Sequence, residues 1–376
     1  MASPAAAHSP TLYTGAPSGR FVSPFSLDHD PMDMMVLYTF DGDPDYNTLE
    51  LQLFNHPDKG TGAAALMARN DGLVDFYMTP GLRLDREKTQ VGSGVGEWLT
   101  QDFECSIQLT PRGLEASAAL TLKDGRPVRM VIRERIARPG KRLDILAPVG
   151  ISIENPYFLP LFWLTDIDLV RVSGTEIDLS IGDRHYLPAR LPMPMPHTFA
   201  FAYFVRACPD PLIITVNQRH DGPLDVVTPD AISGFAYRDM EHDLVERDGR
   251  YEIGRVAIRG GRHEVALRFA PAFPALLDLS DGAAASGRFT LGVDALPAVM
   301  AGRYEVRRSG QQVRVQMQPT ESWKPHGTLR QRATIYLLPP MFRNWPKTYE
   351  WTADLHLANA AQGHVALVSN WRRIGA

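Results

Sequence analysis

Two carboxylates, Asp166 and Asp168, stand two residues apart in the most apolar stretch of the chain, PYFLPLFWLTDIDLVRVSG. Paired acids in apolar surroundings are equipment for general acid–base chemistry. Like charge and desolvation raise one pKa, so that one carboxyl stays protonated beside an ionised neighbour. The residues alternate from Trp163 to Arg171. Trp163, Thr165, Ile167, Leu169 and Arg171 fall on one face, and Leu164, Asp166, Asp168 and Val170 on the other. A helix would set the two acids about 200° apart, so a strand is needed to place them side by side. Gly182-Asp183 then turns the chain, bringing His185 and Tyr186 back beside the strand. Arg190 is the nearest sequence-local cation, and His197 follows a few residues on. The expected catalytic group is therefore Asp166, Asp168, His185 and Tyr186, with Arg190 holding one carboxylate ionised. The competing reading is a structural Asp–Arg pair at a domain junction, because a buried charge must be partnered or functional.

The expected ligand contacts are Trp163, Arg190, His197, Tyr203, Trp323 and Trp351. These aromatics, with Trp345, either line an apolar cavity or form ordinary core. Three histidines precede an aspartate: His29, His220 and His242. Adjacent strand residues point to opposite faces, so these pairs read as surface turns and not as relays.

The elements that must position such a site are short strands. NTLELQLFN, Asn47 to Asn55, sets Leu49, Leu51 and Leu53 against Glu50 and Gln52. Asn70-Asp71-Gly72 reads as a type I′ hairpin turn between Ala63–Arg69 and Leu73–Met78. Leu82 to Arg86 reads as a further strand. Leu114–Leu122 and Val128–Ile136 form a hairpin with Leu114, Ala116, Ala118, Leu120 and Leu122 inward, and Arg129, Arg133 and Arg135 outward. After residue 198 the same rhythm returns, most sharply in the hairpin Tyr304–Arg308 and Gln311–Gln318. Helix signals are confined to Phe273–Asp278 and Leu296–Met300.

This pattern predicts an all-β chain of two consecutive antiparallel domains, either lipocalin-like β-barrels or β-sandwiches. Residues 1–25 read as a disordered or extended lead-in without a signal-peptide pattern. Residues 26–190 form the first domain and 198–376 the second. Between them, residues 191–197 carry Leu191-Pro192-Met193-Pro194-Met195-Pro196. Prolines at every second position lack amide donors and hold their neighbours extended, so this tract reads as a linker.

Composition narrows the function. A net charge of −4, with 39 Lys and Arg scattered along strands, gives no footprint for nucleic acid. No run approaches the ~18 apolar residues of a membrane span. The two cysteines, Cys105 and Cys208, exclude a disulfide framework and a zinc site of paired cysteines. One bridge between them is possible, and buried thiols in a reducing cytoplasm are the alternative. The glycines of VGSGVGEW, Val91 to Trp98, precede a strand where a phosphate loop needs a helix, so they read as a flexible connection. HExxH, GxSxG, Walker and CxxC motifs are absent from the sequence, and no metal or cofactor is expected.

Asp33-Met34-Met35-Val36-Leu37-Tyr38 followed by LELQLFN resembles the opening of the two-domain lipocalin-like proteins that include carotenoid hydratases and some fungal pericyclases. Met34 and Met35 stand where that family usually has a tryptophan pair, and no catalytic residue is carried over. The resemblance implies two barrels and an apolar isoprenoid- or polyketide-like ligand, with acid–base chemistry in place of a cofactor. The expected function is a cofactor-independent lyase or isomerase. A carrier for a hydrophobic ligand and a carbohydrate-binding or carbohydrate-modifying sandwich are the alternatives.

Overall fold

In a computed structural model, the described residues are 11–135, 143–150, 153–171, 173–189, 202–231, 233–260, 263–294, 298–324 and 344–375. Among the described residues, strand makes up 63% and helix 3%, far from the ~30–35% helix of an average domain. The all-β expectation holds.

The chain begins with β1 (Leu27–Pro31), β2 (Met34–Thr39), β3 (Tyr46–His56), β4 (Gly60–Arg69), β5 (Val74–Met78) and β6 (Val95–Thr100). Next come β7 (Glu104–Thr110), β8 (Gly113–Thr121), β9 (Pro127–Glu134), β10 (Leu143–Ala147), β11 (Leu159–Arg171), β12 (Thr175–Ile181) and β13 (Arg184–His185). After the proline tract follow β14 (Ala202–Pro209), β15 (Leu212–Val216), β16 (His220–Asp225), β17 (Gly234–Tyr237), β18 (Met240–Arg247), β19 (Arg250–Gly260) and β20 (His263–Phe273). The last are β21 (Ala284–Val293), β22 (Met300–Ser309), β23 (Gln312–Glu321), β24 (Tyr349–His356) and β25 (His364–Arg373). A short 3-10 turn at Leu276–Asp278 falls within one expected helical segment. Residues 296–297 of the other lie outside the described residues, and Met300 opens β22.

Three sheets result. The first has ten strands in the order β1-β15-β11-β14-β2-β3-β4-β5-β6, with β10 on β11. The second has five, β13-β12-β9-β8-β7, and the third has ten, running from β16 through β25 down to β17. Each is open among the described residues, so the sandwich alternative describes them and closed barrels are not found. One pair, β5 with β6, is parallel. Strands from both sides of residues 191–197 share the first sheet, since β14 sits between β11 and β2. The tract, itself outside the described residues, therefore does not divide the sheets. The chain passes to the third sheet between Val216 and His220.

The alternation of β3 explains the layering. Leu49 and Leu51, with Val36 and Tyr38 of β2, enter a core shared with Leu114, Ala116, Ala118 and Leu120 of the second sheet. The hairpin β8–β9 packs as its pattern predicts, with Arg129, Arg133 and Arg135 exposed. The other face of the first sheet joins a larger core that runs through Trp163 and Trp323 into the third sheet.

Other local expectations change. At Asn70-Asp71-Gly72 only Gly72 has positive φ (90°), so a type I′ turn does not form there. Asp248-Gly249, at φ 52° and 74°, does supply that geometry between β18 and β19. Leu82–Arg86 is loop. Within residues 11–25, residues 21–25 are buried and 14–19 exposed: Phe25 lies against Phe269, Phe273 and Trp351, and the Tyr13 hydroxyl donates to Glu252 at 2.6 Å.

Candidate functional site

The expected acid pair does not form a buried site. Asp166 is exposed and has φ 50°, and its amide donates to Asp144 Oδ1 at 3.0 Å. The cause is a change of partners along β11. Its first half, Leu159–Trp163, pairs with β15, while Asp168–Arg171 pairs with β14. The register against β10 also shifts between Leu143 and Ile145. The strand is irregular at Asp166, so simple parity fails there. Asp168 pairs through its backbone with Ala207.

The other expected residues are scattered. His185 is an exposed residue of β13 whose Nδ1 lies 2.7 Å from Asp178 Oδ1. Tyr186 is buried in the core between the first and second sheets and donates to Asp43 Oδ2 at 2.7 Å. Trp163 meets Trp323 edge-on at 5.4 Å within the larger core. Trp351 is fully buried beside Phe25. Tyr203 lies on β14, while Arg190 and His197 are outside the described residues. Cys105 and Cys208 are both free thiols. The Cys208 thiol donates to the Thr165 carbonyl at 2.9 Å, and burial pushes both thiols up to about 12. Among the described residues no His, Cys, Asp or Glu cluster has metal-site geometry.

The histidine–aspartate dipeptides lie in strands, not in surface turns. His242 is buried, stacks on Phe235 at 4.4 Å and places Nε2 2.8 Å from Ser23 Oγ.

A cavity of about 500 Å³ lies instead on the first sheet, on the face away from the second. Its floor is made of cross-strand neighbours. Leu37 of β2 pairs with Glu50 of β3, Glu50 with Leu66 of β4, and Leu66 with Phe76 of β5. Pairing without a slip keeps those side chains on one face. Phe162 and Leu164 of β11 and Ile213 of β15 add apolar wall. Trp98 stacks behind Phe76 at 4.3 Å.

One polar row crosses this apolar floor: Thr48, Glu50 and Gln52. Gln52 Nε2 donates to Glu50 Oε1 at 2.6 Å, a short charge-assisted bond. Asp30 borders the cavity as well and pairs with Lys59 at 2.9 Å. Burial opposes the charge on Lys59, but Asp30 outweighs it and holds the ammonium above its ordinary pKa.

The rim is the loop Lys88–Ser93. Its one glycine serves a close backbone approach. A Cβ on Gly92, at φ 50°, would meet the Gly72 carbonyl at 2.5 Å, and Ser93 N donates to that same oxygen at 2.8 Å. The loop is thus tied to the β4–β5 turn. Gln90 reaches across to donate Nε2 to the Phe158 carbonyl at 3.2 Å.

Asp43 and Asp75 are among the buried carboxylates that escaped the sequence reading, and both are structural. Asp75 receives the Tyr46 hydroxyl at 2.8 Å, the Glu97 amide at 2.9 Å and Lys123 Nζ at 3.1 Å. Asp43 receives Tyr186, the amides of Asp45 and Tyr46, and Arg126. Burial opposes ionisation of each, and these donors outweigh it, so both carboxyls stay below the usual range.

Comparison with protein-family models, with curated proteins and with solved structures finds no match for this chain.

Proposed function

We propose that the protein binds an apolar small molecule in the cavity over the first sheet. The observation that carries this reading is an apolar-walled space of about 500 Å³ crossed by one polar row, Thr48, Glu50 and Gln52. Small-molecule sites are typically ~300–1,000 Å³, mostly apolar, with few polar groups to fix orientation. Burying the ligand's apolar surface supplies affinity at roughly 25 cal/mol per Å², and the polar row sets its direction. Binding of this kind also fits the isoprenoid- or polyketide-like ligand that the sequence resemblance implies.

An acid–base lyase or isomerase reading has one observation in its favour. Glu50 is a carboxylate in an apolar cavity, with a neighbouring amide fixing its orientation, which would suit a group that transfers a proton. A sugar groove would call for exposed aromatic rings. Trp163, Trp323, Trp345, Trp351 and Trp371 are buried, and half-buried Trp98 has one face stacked on Phe76, so that reading has little support.

The test is titration with Nile red, monitored by dye fluorescence, together with mass spectrometry of apolar molecules that co-purify. Leu66→Trp fills the floor and should abolish dye binding while leaving the β spectrum in circular dichroism. A folded Leu66→Trp protein that binds dye as tightly as wild type would remove the reading. For the enzyme reading, a co-purified ligand must be consumed by wild type and spared by Glu50→Gln.

A further inference from the structure

Resting on that ligand-binding reading, we infer that the loop from Leu84 to Gly92 is a strap that opens to admit the ligand, with the Gln90–Phe158 hydrogen bond as its latch. The strap is fastened at both ends. On one side Leu82 bridges Gly60, and Arg83 donates its amide to the Lys59 carbonyl at 2.7 Å. The Arg83 guanidinium adds bonds to the Asp58 and Pro57 carbonyls at 3.1 and 2.6 Å. On the other side Ser93 N donates to the Gly72 carbonyl at 2.8 Å, and Arg86 reaches the Gly96 carbonyl on β6 at 3.0 Å. Between these ties the two faces of the strap differ. Leu84 and Val91 line the cavity and pack on the larger core, while Asp85, Glu87 and Lys88 are exposed. Local bonds knit it together: Thr89 N donates to the Arg86 carbonyl at 3.2 Å and the Thr89 hydroxyl to the Asp85 carbonyl at 2.8 Å. An apolar underside, a charged outside and fixed ends are what a loop needs to close over an apolar ligand as one piece.

The wall facing the strap is anchored elsewhere. Phe158 directly precedes β11, whose Leu159 pairs with Val216 of β15. The Tyr157 carbonyl accepts Arg219 N at 2.6 Å, and the Glu154 carbonyl accepts Arg373 N at 2.8 Å. Gln90 Nε2 spans from the strap to this wall at 3.2 Å. Its Oε1 is buried and has no hydrogen-bond partner among the described residues, so the amide shuts the gap where it sits. Opening breaks the Nε2 bond but hydrates the enclosed oxygen. The two effects offset in part, which leaves the closed strap favoured by a margin that thermal motion can cross.

Stopped-flow fluorescence with Nile red tests the latch. Gln90→Glu turns the donor into a second acceptor facing the Phe158 carbonyl. At pH ~8, where the acid is ionised, the association and dissociation rates of the dye should both rise about ten-fold or more, the scale of one lost bond with a like-charged oxygen in its place. Kd should stay within about two-fold, because the latch is made in the empty and the occupied closed forms alike and is lost only on opening. Wild type gives a second reading that depends on no variant. Deuterium exchange of residues 84–92, followed by mass spectrometry, should slow when Nile red is bound, since the dye covers the underside of the strap. Unchanged rates in folded Gln90→Glu, a weaker Kd carried by dissociation alone, or exchange that ignores bound dye overturns the strap while the cavity reading stands. Failure of Nile red to bind wild type removes the cavity reading and this inference together.

Discussion

The Tyr186 hydroxyl donates to Asp43 Oδ2 at 2.7 Å, joining residues 143 positions apart in the chain. Tyr186 follows β13 of the second sheet, and Asp43 lies in the turn between β2 and β3 of the first. The same tyrosine's carbonyl accepts the Tyr38 hydroxyl at 3.0 Å. A residue expected to be catalytic is therefore a tie between two sheets. Tyr186→Phe should lower stability by about 1–3 kcal/mol, the cost of withdrawing a donor from a buried acceptor. Urea unfolding measures it, and an unchanged midpoint would count against the tie.

Asp43 and Asp75 also predict the acid limb of stability. Their folded-state pKa values are depressed. Their contribution is then present above the unfolded carboxylate range near ~4 and lost as pH falls through the lower folded values. Urea midpoints below pH ~4 should drop more shallowly in Asp75→Asn than in wild type. Parallel acid limbs would mean that other groups dominate.

His242 acts in a different window. Burial lowers its pKa to about 4. The unfolded chain binds a proton from pH ~6.5 downward while the folded protein does not. Stability is thus complete above ~6.5 and falls by up to about 1.4 kcal/mol per pH unit down to the folded value. His242→Gln should flatten that stretch of the stability profile. A wild-type profile already flat there would refute the assignment.

Phe25 anchors residues 11–25 in the third sheet's core through Phe269, Phe273 and Trp351. Phe25→Ala should cost about 3–5 kcal/mol, as for other buried aromatics. Thermal unfolding reads this, and a loss well under 1 kcal/mol would show that the lead-in is dispensable.

The fold class was legible because side chains alternate at period two wherever one sheet face is buried. The β8–β9 hairpin is the clearest case, since Leu114 to Leu122 face inward at every second residue. Asp166 was misread because strand parity assumes regular pairing, and β11 changes partners there. The row Glu50 and Gln52 was visible as the polar side of β3, but its meaning was not. A polar face turned to solvent and one turned into a cavity have the same pattern, and only the strands packed opposite distinguish them. Phe25 was missed because an isolated aromatic in a Pro- and Ser-rich segment carries no periodicity.

The insertion of β14 between β11 and β2 sets the timetable of biosynthesis. β2 leaves the ribosome long before β14, and β1 long before its partner β15. At the usual ~5–20 residues per second, the edge of β2 that awaits β14 stays bare for roughly ten to thirty seconds. Bare strand edges recruit other strands. The first sheet's assembly therefore closes only when Val216 has emerged.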